Sequence, residues 1–382
     1  MTDQPSGDAT ARITVDLDAI RHNAGVLKRR AGDAELMAVV KGDAYGHGLI
    51  PVANAALEGG ATWLGVAQLR EALQLREAGV TAPVLSWLHA PGTDFDAAVA
   101  ADVQVAVPHV WEIEAVADAA RRAGKPATVH LKVDTGLARN GAYGPQWPEL
   151  LTAAAKLQAE GVIDVAGVMT HFIFADSPQH PSVLAQQEAF AQAVQDAEQT
   201  GLDLRVRHMA NSAATLTGSN VAWDMVRPGI ALYGLSPVPD IGTSGDFDLI
   251  PAMTVDANVT IAKRVPAGQG VSYGHTYVTD RETTLIDVPI GYSDGVPRAA
   301  SSKGPVQVGG HRFTVSGRVC MDQFVVAVGD LPVAEGDRVV LFGSGDSGEP
   351  TAQDWADAAG TISYEIVGRM SARLPRLYRG QS

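Results

Sequence analysis

The sequence predicts a (β/α)8 TIM-type barrel followed by a mostly β C-terminal domain. Three observations lead there. The chain has 382 residues, and at about 100 to 200 residues per domain that length suits two domains, or a large barrel with an addition. Short β-branched runs alternate with amphipathic helical stretches through the first two thirds, the mark of a parallel α/β architecture. Near residue 236 this texture gives way to short alternating runs broken by Gly and Pro, with no helical period.

Residues 1–12, MTDQPSGDATAR, lack the basic start and apolar core of a secretory signal and read as a disordered tail,. Ile13–Leu17 reads as a strand with no barrel slot, expected to pair with the second domain. Eight barrel strands follow: Met37–Val40, Thr62–Val66, Val84–Ser86, Val103–Ala106, Thr128–Val133, Val162–Met169, Leu204–Met209 and Trp223–Val226. Between them Ala67–Ala78, Pro108–Arg122 and His180–Gln199 return apolar residues every three or four positions, as helices packed on one face do,. Eight such repeats fit a closed barrel better than an open doubly wound sheet. The turn-rich stretch SPVPDIGTSGDFD then links a barrel over residues 13–240 to a β domain over 241–382, which carries one helix at Thr351–Ala359,.

Composition excludes several classes. Apolar residues make up 46% and charged residues 19% of the chain, as in a globular protein,. Lys+Arg 29 against Asp+Glu 43 leaves a net charge of -14, which opposes nonspecific binding to nucleic acid or an anionic membrane,. No run of about 18 apolar residues is present to span a bilayer. The single cysteine, Cys320, can form no intrachain disulfide and no zinc-ligand spacing,. A cytoplasmic protein without a metal site, nucleic-acid partner or membrane partner is expected.

In this fold the site lies at the C-terminal ends of the strands. There the sequence places Lys41, Arg139, His171, His208 and Arg227. Lys41 follows the apolar run Leu36 to Val40, where desolvation lowers an amine pKa and makes a nucleophile,. From position alone a lysine reaching to the rim is the commoner arrangement. The loops after the seventh and eighth strands, where barrels commonly hold phosphate, read Ala210–Ala213 and Pro228–Ile230,. Ser212 offers a hydroxyl, and Gly229 and Ile230 offer backbone N–H groups at a helix start, although Gly229 also suits an ordinary turn. Both loops together with a buried lysine point to pyridoxal 5'-phosphate (PLP). Arg227, a donor only, would leave a pyridoxal ring nitrogen unprotonated, unless it is a plain salt-bridge partner.

The segments VVKGDAYGHG, KVDTGLARNG, HMANSA, RPGIALYG, SYGHTY, GYSDGVPR and GRVCMDQ, in this order over nearly the whole chain, resemble the signature segments of alanine racemase. The resemblance implies PLP as cofactor, interconversion of L- and D-alanine for peptidoglycan, and a head-to-tail homodimer whose β domain completes the partner's site. It implies that Lys41 holds PLP and is one proton-transfer base, while Tyr273 of the other subunit is the opposite base. His171 and Arg227 match a relay to the cofactor, with His208 behind Arg227. Tyr45, Ser212, Gly229, Ile230 and Tyr364 match phosphate ligands, and Arg139 and the Met321 N–H match the grip on a substrate carboxylate. Tyr292 matches an entrance aromatic. Lys132 matches a lysine carried as a carbamate in many members, the alternative being an unmodified Lys132 paired with Asp134. Gly42-Asp43 replaces the frequent Ala-Asn, and Phe172-Ile173-Phe174 is bulkier than usual, which bears on substrate breadth.

Other readings are weaker. A metal-dependent hydrolase on this barrel would use His171 and His208 but needs an HxH pair on the first strand, which ends in Lys41. A same-fold PLP decarboxylase would set an acid, not Arg227, against the ring nitrogen. A racemase of broader specificity, acting also on serine, stays open, and a silent PLP-binding protein would have no need of the β domain.

Overall fold

The computed structural model describes residues 10–218 and 223–380. They form two compact units, one of residues 20–44 and 49–249, the other of residues 10–19, 45–48 and 250–380. Strand β1 (Ala11–Asp16) belongs to the second unit.

The first unit is the barrel. Its strands are β2 (Glu35–Val39), β3 (Trp63–Val66), β4 (Val84–Ser86), β5 (Gln104–Val107), β6 (Ala127–Lys132), β7 (Ile163–Met169), β8 (Val206–His208) and β9 (Met225–Val226). They run in the order β8-β7-β6-β5-β4-β3-β2-β9 with every laddered pair parallel. The gap between β8 and β9 is bridged by the Asp224 N–H donating to the Arg207 carbonyl (3.1 Å) and the Arg227 N–H donating to the Ala210 carbonyl (2.9 Å). Met37, Leu85, Ala106, Met169, Val206 and Met225 pack into one cluster, joined by Trp63 and Trp87. Helix Val110–Ala123 buries Ile113, Val116, Ala117 and Ala120, the 3.6-residue stripe expected over Pro108–Arg122, and a further helix, Gln146–Ala159, buries Leu150, Leu151, Ala154 and Leu157 in the same way,. The expected third helix is present as Pro181–Gln199, with proline in its first turn,.

The second unit is mostly β. Its further strands are β10 (Met253–Asn258), β11 (Ile261–Val265), β12 (Gly270–Val271), β13 (Tyr277–Val278), β14 (Thr283–Val288), β15 (Pro305–Val308), β16 (His311–Thr314), β17 (Phe324–Gly329), β18 (Arg338–Phe342) and β19 (Arg376–Arg379). One sheet has the order β16-β15-β18-β10-β1-β19, a second β11-β14-β17, and β12-β13 form a ribbon. Trp355, on helix Ala352–Ala359, is fully buried and donates its indole N–H to the Leu341 carbonyl (2.7 Å). Among the described residues no helix is long and apolar enough to cross a membrane.

Two expectations need correction. The division into residues 13–240 and 241–382 is not how the chain packs: β1 pairs antiparallel with β10 and parallel with β19, so residues 11–16 join the β unit, and the units part at 249/250. Of the tail read at residues 1–12, residues 1–9 lie outside the described ones, while Ala11 and Arg12 are already strand. Ala11 is buried there and the Arg12 guanidinium pairs with the buried Asp256 carboxylate at 2.7 Å.

Strands β7 and β8 approach so closely that a methyl group on Gly167 would sit on the Val206 carbonyl oxygen. Forcing such a group into a packed interior costs about 1–3 kcal/mol, more where backbone must move. Gly167→Ala is therefore expected to lower the thermal unfolding midpoint by several degrees, and an unchanged midpoint would show that the barrel wall yields freely there.

Candidate functional site

Lys41 follows β2 and Val40 directly. Burial lowers the pKa of its amine, the Arg139 charge lowers it further, and the Glu71 carboxylate partly opposes both,. The backbone after it turns left-handed: φ is 64° at Gly42, 53° at Asp43, 52° at Ala44 and 52° at Tyr45. Each non-glycine residue in that region costs about 1–2 kcal/mol. Hydrogen bonds hold the turn in place. The Ala44 N–H donates to the Val40 carbonyl (2.9 Å), the Gly42 N–H to Glu71 Oε1 (2.6 Å), and the Leu49 N–H to Asp43 Oδ1 (2.8 Å). The other Glu71 oxygen accepts the N–H groups of Ala67 (3.2 Å) and Gln68 (3.0 Å), which fixes this carboxylate on the first turn of helix Leu69–Glu77.

Around Lys41 gather the other cations that the strand ends supply. His171 feels Arg227, Arg139, Lys132 and Lys41, and burial together with these four charges holds its imidazole down at about 3, hence neutral. Lys132, buried at the end of β6, has its amine lowered to about 8 by burial and then by Arg227 and Arg139, with Asp134 and Glu112 opposing. Asp134 caps its own loop, its Oδ1 accepting the N–H groups of Gly136 (2.9 Å) and Ala138 (3.2 Å). Arg227 is fully enclosed, and burial lowers its guanidinium to about 10. Its partners are uncharged: Nη1 donates to His208 Nδ1 (3.1 Å), and Nη2 to the carbonyls of Thr170 (2.8 Å) and Met209 (3.4 Å).

Ser212 opens the short helix Ser212–Thr217, and Asn211 caps it by accepting the Ala214 N–H (3.1 Å). Ser212 Oγ accepts the Gly229 N–H (2.8 Å) and the Ala231 N–H (3.3 Å), and Ile230 opens the 3-10 turn Ile230–Tyr233 between them. A hydroxyl and converging backbone N–H groups are the donors a phosphate needs. With a half-buried amine of lowered pKa and a buried donor-only guanidinium, this donor set fits PLP. Of the bulky trio, Phe172 is buried and Phe174 stacks on His180 at 4.0 Å, so only Ile173 is exposed.

Several residues of this cluster escaped sequence reading. Gln186 ties three segments together: its Oε1 accepts the Ile173 N–H (2.9 Å) and its Nε2 donates to Thr135 Oγ1 (3.1 Å) and to the His171 carbonyl (3.1 Å). Behind His208 stands His130, and behind His130 stands Gln104. The period of two along Thr128-Val129-His130-Leu131-Lys132 is the available signal for His130, since it shares a strand face with Lys132,. Glu71 and Gln186 leave no such trace.

The remaining site residues lie in the second unit. Tyr273 is 72% exposed and lines a cleft with Ser272, His275, Cys320, Gln323 and Phe324. Its segment is held in uncommon backbone conformations, φ being 60° at Ser272 and 44° at His275. Tyr292 and Met321 are placed by one another's loops: the Tyr292 N–H donates to the Cys320 carbonyl (3.0 Å), and the Ser293 N–H to the Met321 carbonyl (2.9 Å). A side chain at Gly291 would strike the Cys320 and Met321 carbonyls, so glycine is required for this approach. Arg373 braces both loops through Asp322 (3.0 Å), Asp294 (3.4 Å) and Ser293. Tyr45 and Tyr364 face each other with ring centroids 6.3 Å apart, and burial together with Tyr364 pushes the Tyr45 phenol up.

Residues 15–237 match the family model for the alanine racemase N-terminal domain and residues 252–378 that for its C-terminal domain. The chain is 57% identical to an alanine racemase of Frankia casuarinae over 99% of its length and 100% of that protein. Among solved structures it is similar to the alanine racemase of D-cycloserine-producing Streptomyces lavendulae, with TM-score 0.97, 49% identity and 99% of each chain covered. It is likewise similar to that of Streptomyces coelicolor A3(2), with TM-score 0.96, 53% identity, and 97% of this chain and 98% of that one covered. The chain belongs to the alanine racemase family and is an amino-acid racemase, an isomerase.

Proposed function

We propose that the protein interconverts L- and D-alanine in the cytoplasm with PLP as cofactor, by two bases on opposite faces of the substrate Cα, and so supplies D-alanine for peptidoglycan. The observation that carries this reading is Arg227, a buried guanidinium surrounded by uncharged partners, together with Lys41, a half-buried lysine of lowered pKa, the charges of both reaching His171. PLP, when bound, withdraws electrons from the amino acid and acidifies its Cα–H bond.

The chain's own residues do the rest. Lys41 anchors the cofactor, and its Nζ takes or returns the proton on one face; the lowered pKa leaves a larger share of the amine free to do so,. Tyr273 Oη serves the opposite face, contributed by a second copy of the chain in a head-to-tail homodimer. One group alone would have to swing around the substrate, so inversion requires two. Ser212, Gly229, Ile230, Tyr45 and Tyr364 hold the phosphate, His171 and Arg227 the cofactor ring and its relay, and His208 backs Arg227. Arg139 and the Met321 N–H take the alanine carboxylate, and Tyr292 narrows the entrance. The neutral amine of Lys132 adds to CO2 and gives up a proton to solvent, leaving a carbamate whose negative charge near Arg139 orients that guanidinium,.

Purified protein with added PLP should form D-alanine from L-alanine and show a visible absorption band that Lys41→Ala abolishes; protein that stays colourless and inactive with PLP rules the cofactor out. Tyr273→Phe should slow the L to D direction by two orders of magnitude or more, within the range of about 10²–10⁴ typical of a lost acid or base, while keeping the band. Mixing it with Lys41→Ala chains should restore activity, whereas hybrids that form and stay inactive refute a shared site. Carbamate formation needs the neutral amine, so it should grow as pH rises through about 8 and fall below it. ¹³C-bicarbonate should then give a carbonyl signal that Lys132→Ala lacks, and its absence at high pH returns Lys132 to the unmodified state.

A further inference from the structure

We propose that His130 and Gln104 are positioning residues, forming with His208 a one-way hydrogen-bond chain, directed by Arg227, that holds the His208 ring neutral and in place and keeps Arg227 an uncompensated cation. The chain crosses the barrel interior. Arg227 Nη1 meets His208 Nδ1 at 3.1 Å, His208 Nε2 meets His130 Nδ1 at 2.9 Å, and His130 Nε2 meets Gln104 Oε1 at 2.9 Å. Both imidazoles are fully buried, their rings perpendicular at 5.0 Å, with the Trp63 edge against His130. Gly167 of β7 leaves room for this, since a Cβ there would press on His130 Nδ1.

The direction of the chain follows from valence. A guanidinium has donors and no acceptor, so His208 Nδ1 must accept and its proton must sit on Nε2. His130 Nδ1 then accepts and its proton sits on Nε2, which obliges Gln104 to present its oxygen. Protonating either ring would set two N–H groups against each other. The charges that reach His130 are Arg205 and Arg227, which oppose its protonation, and Asp164, which favours it but is already paired with Arg205 at 2.5 Å. His208 faces Arg227 and His130. Accordingly burial and these charges hold His130 down at about 3 and His208 well below its ordinary value.

A carboxylate in place of this chain would neutralise Arg227. Two neutral imidazoles and an amide orient it without doing so, leaving its charge for whatever acceptor the site receives. On the function proposed above, that acceptor is the pyridoxal ring nitrogen, and this part of the inference rests on that reading.

Histidine ring nitrogens of ¹⁵N-labelled protein, with and without PLP, test the chain directly. His130 and His208 should both carry the proton on Nε2 and stay neutral from about pH 5 to 9. Gln104→Glu sets an anion against His130 and should make that ring titrate inside this range. Racemisation should then gain an acid limb below which kcat falls by roughly ten-fold, with KM for alanine and the PLP band retained. Gln104→Met, which is neutral and similar in shape, removes the acceptor of the His130 Nε2–H and should shift that nitrogen's signal while both rings stay neutral and keep the tautomer that Arg227 imposes. A wild-type ring that titrates or is protonated on Nδ1 overturns the proposal, as do spectra and pH profiles that neither substitution alters. If the chain behaves as stated while PLP gives no band and no activity, the cofactor reading fails and the chain stands.

Discussion

A guanidinium with no carboxylate partner among the described residues, closed inside a barrel, is the constraint around which the barrel unit is arranged. Burying a charge costs several kcal/mol even after relaxation, unless the surroundings solvate it. For Arg227 that solvation comes from the Thr170 and Met209 carbonyls and from His208 Nδ1. Each acceptor imposes something in turn. The carbonyls fix the ends of β7 and β8, and His208 must hold its proton on the far nitrogen, which dictates what can stand behind it. The closed parallel sheet is what makes the arrangement possible, since it brings strand ends from opposite sides of the ring to one rim.

Strain marks the places where side chains must be aimed against local preference. The left-handed turn after Lys41 includes Asp43, which tolerates that region, and Ala44 and Tyr45, which do not favour it, and Glu71 and Asp43 carboxylates accept N–H groups that hold it,. In the other unit Ser272 and His275 flank Tyr273 with positive φ. Such outliers persist only where surrounding contacts over-determine them, and they concentrate at functional sites. Lys41 and Tyr273, the two proposed bases, are thus both set by backbone that the sequence alone would not choose.

This also explains what could be read beforehand. The eight strands and three of the helices were legible because alternation and the helical period record burial residue by residue. So was the pairing of the first strand with the β unit, although its start at Ala11 was hidden by Arg12, whose charge reads as tail until Asp256 is seen beside it. The named cations were legible from their positions at strand ends. Glu71, Gln186 and Gln104 were not, because each acts across more than twelve residues of intervening chain to a partner that only the closed barrel brings near.

The cation cluster also reconciles a chain of net charge -14 with anionic ligands. Burial, and then repulsion from Arg139 on Lys41 and from Arg227 and Arg139 on Lys132, is what lowers both lysine amines. The same field therefore attracts phosphate and carboxylate groups and frees a lysine from its proton. The two effects are linked in sign: an anion entering the cluster relieves the repulsion and raises the proton affinity of the amines around it. A carbamate on Lys132 would act in that direction, turning one member of the cluster from cation to anion. The amine of Lys41 would then be most readily deprotonated before the site fills and a better proton acceptor once it has, which is the order that anchoring a cofactor and then moving a proton requires.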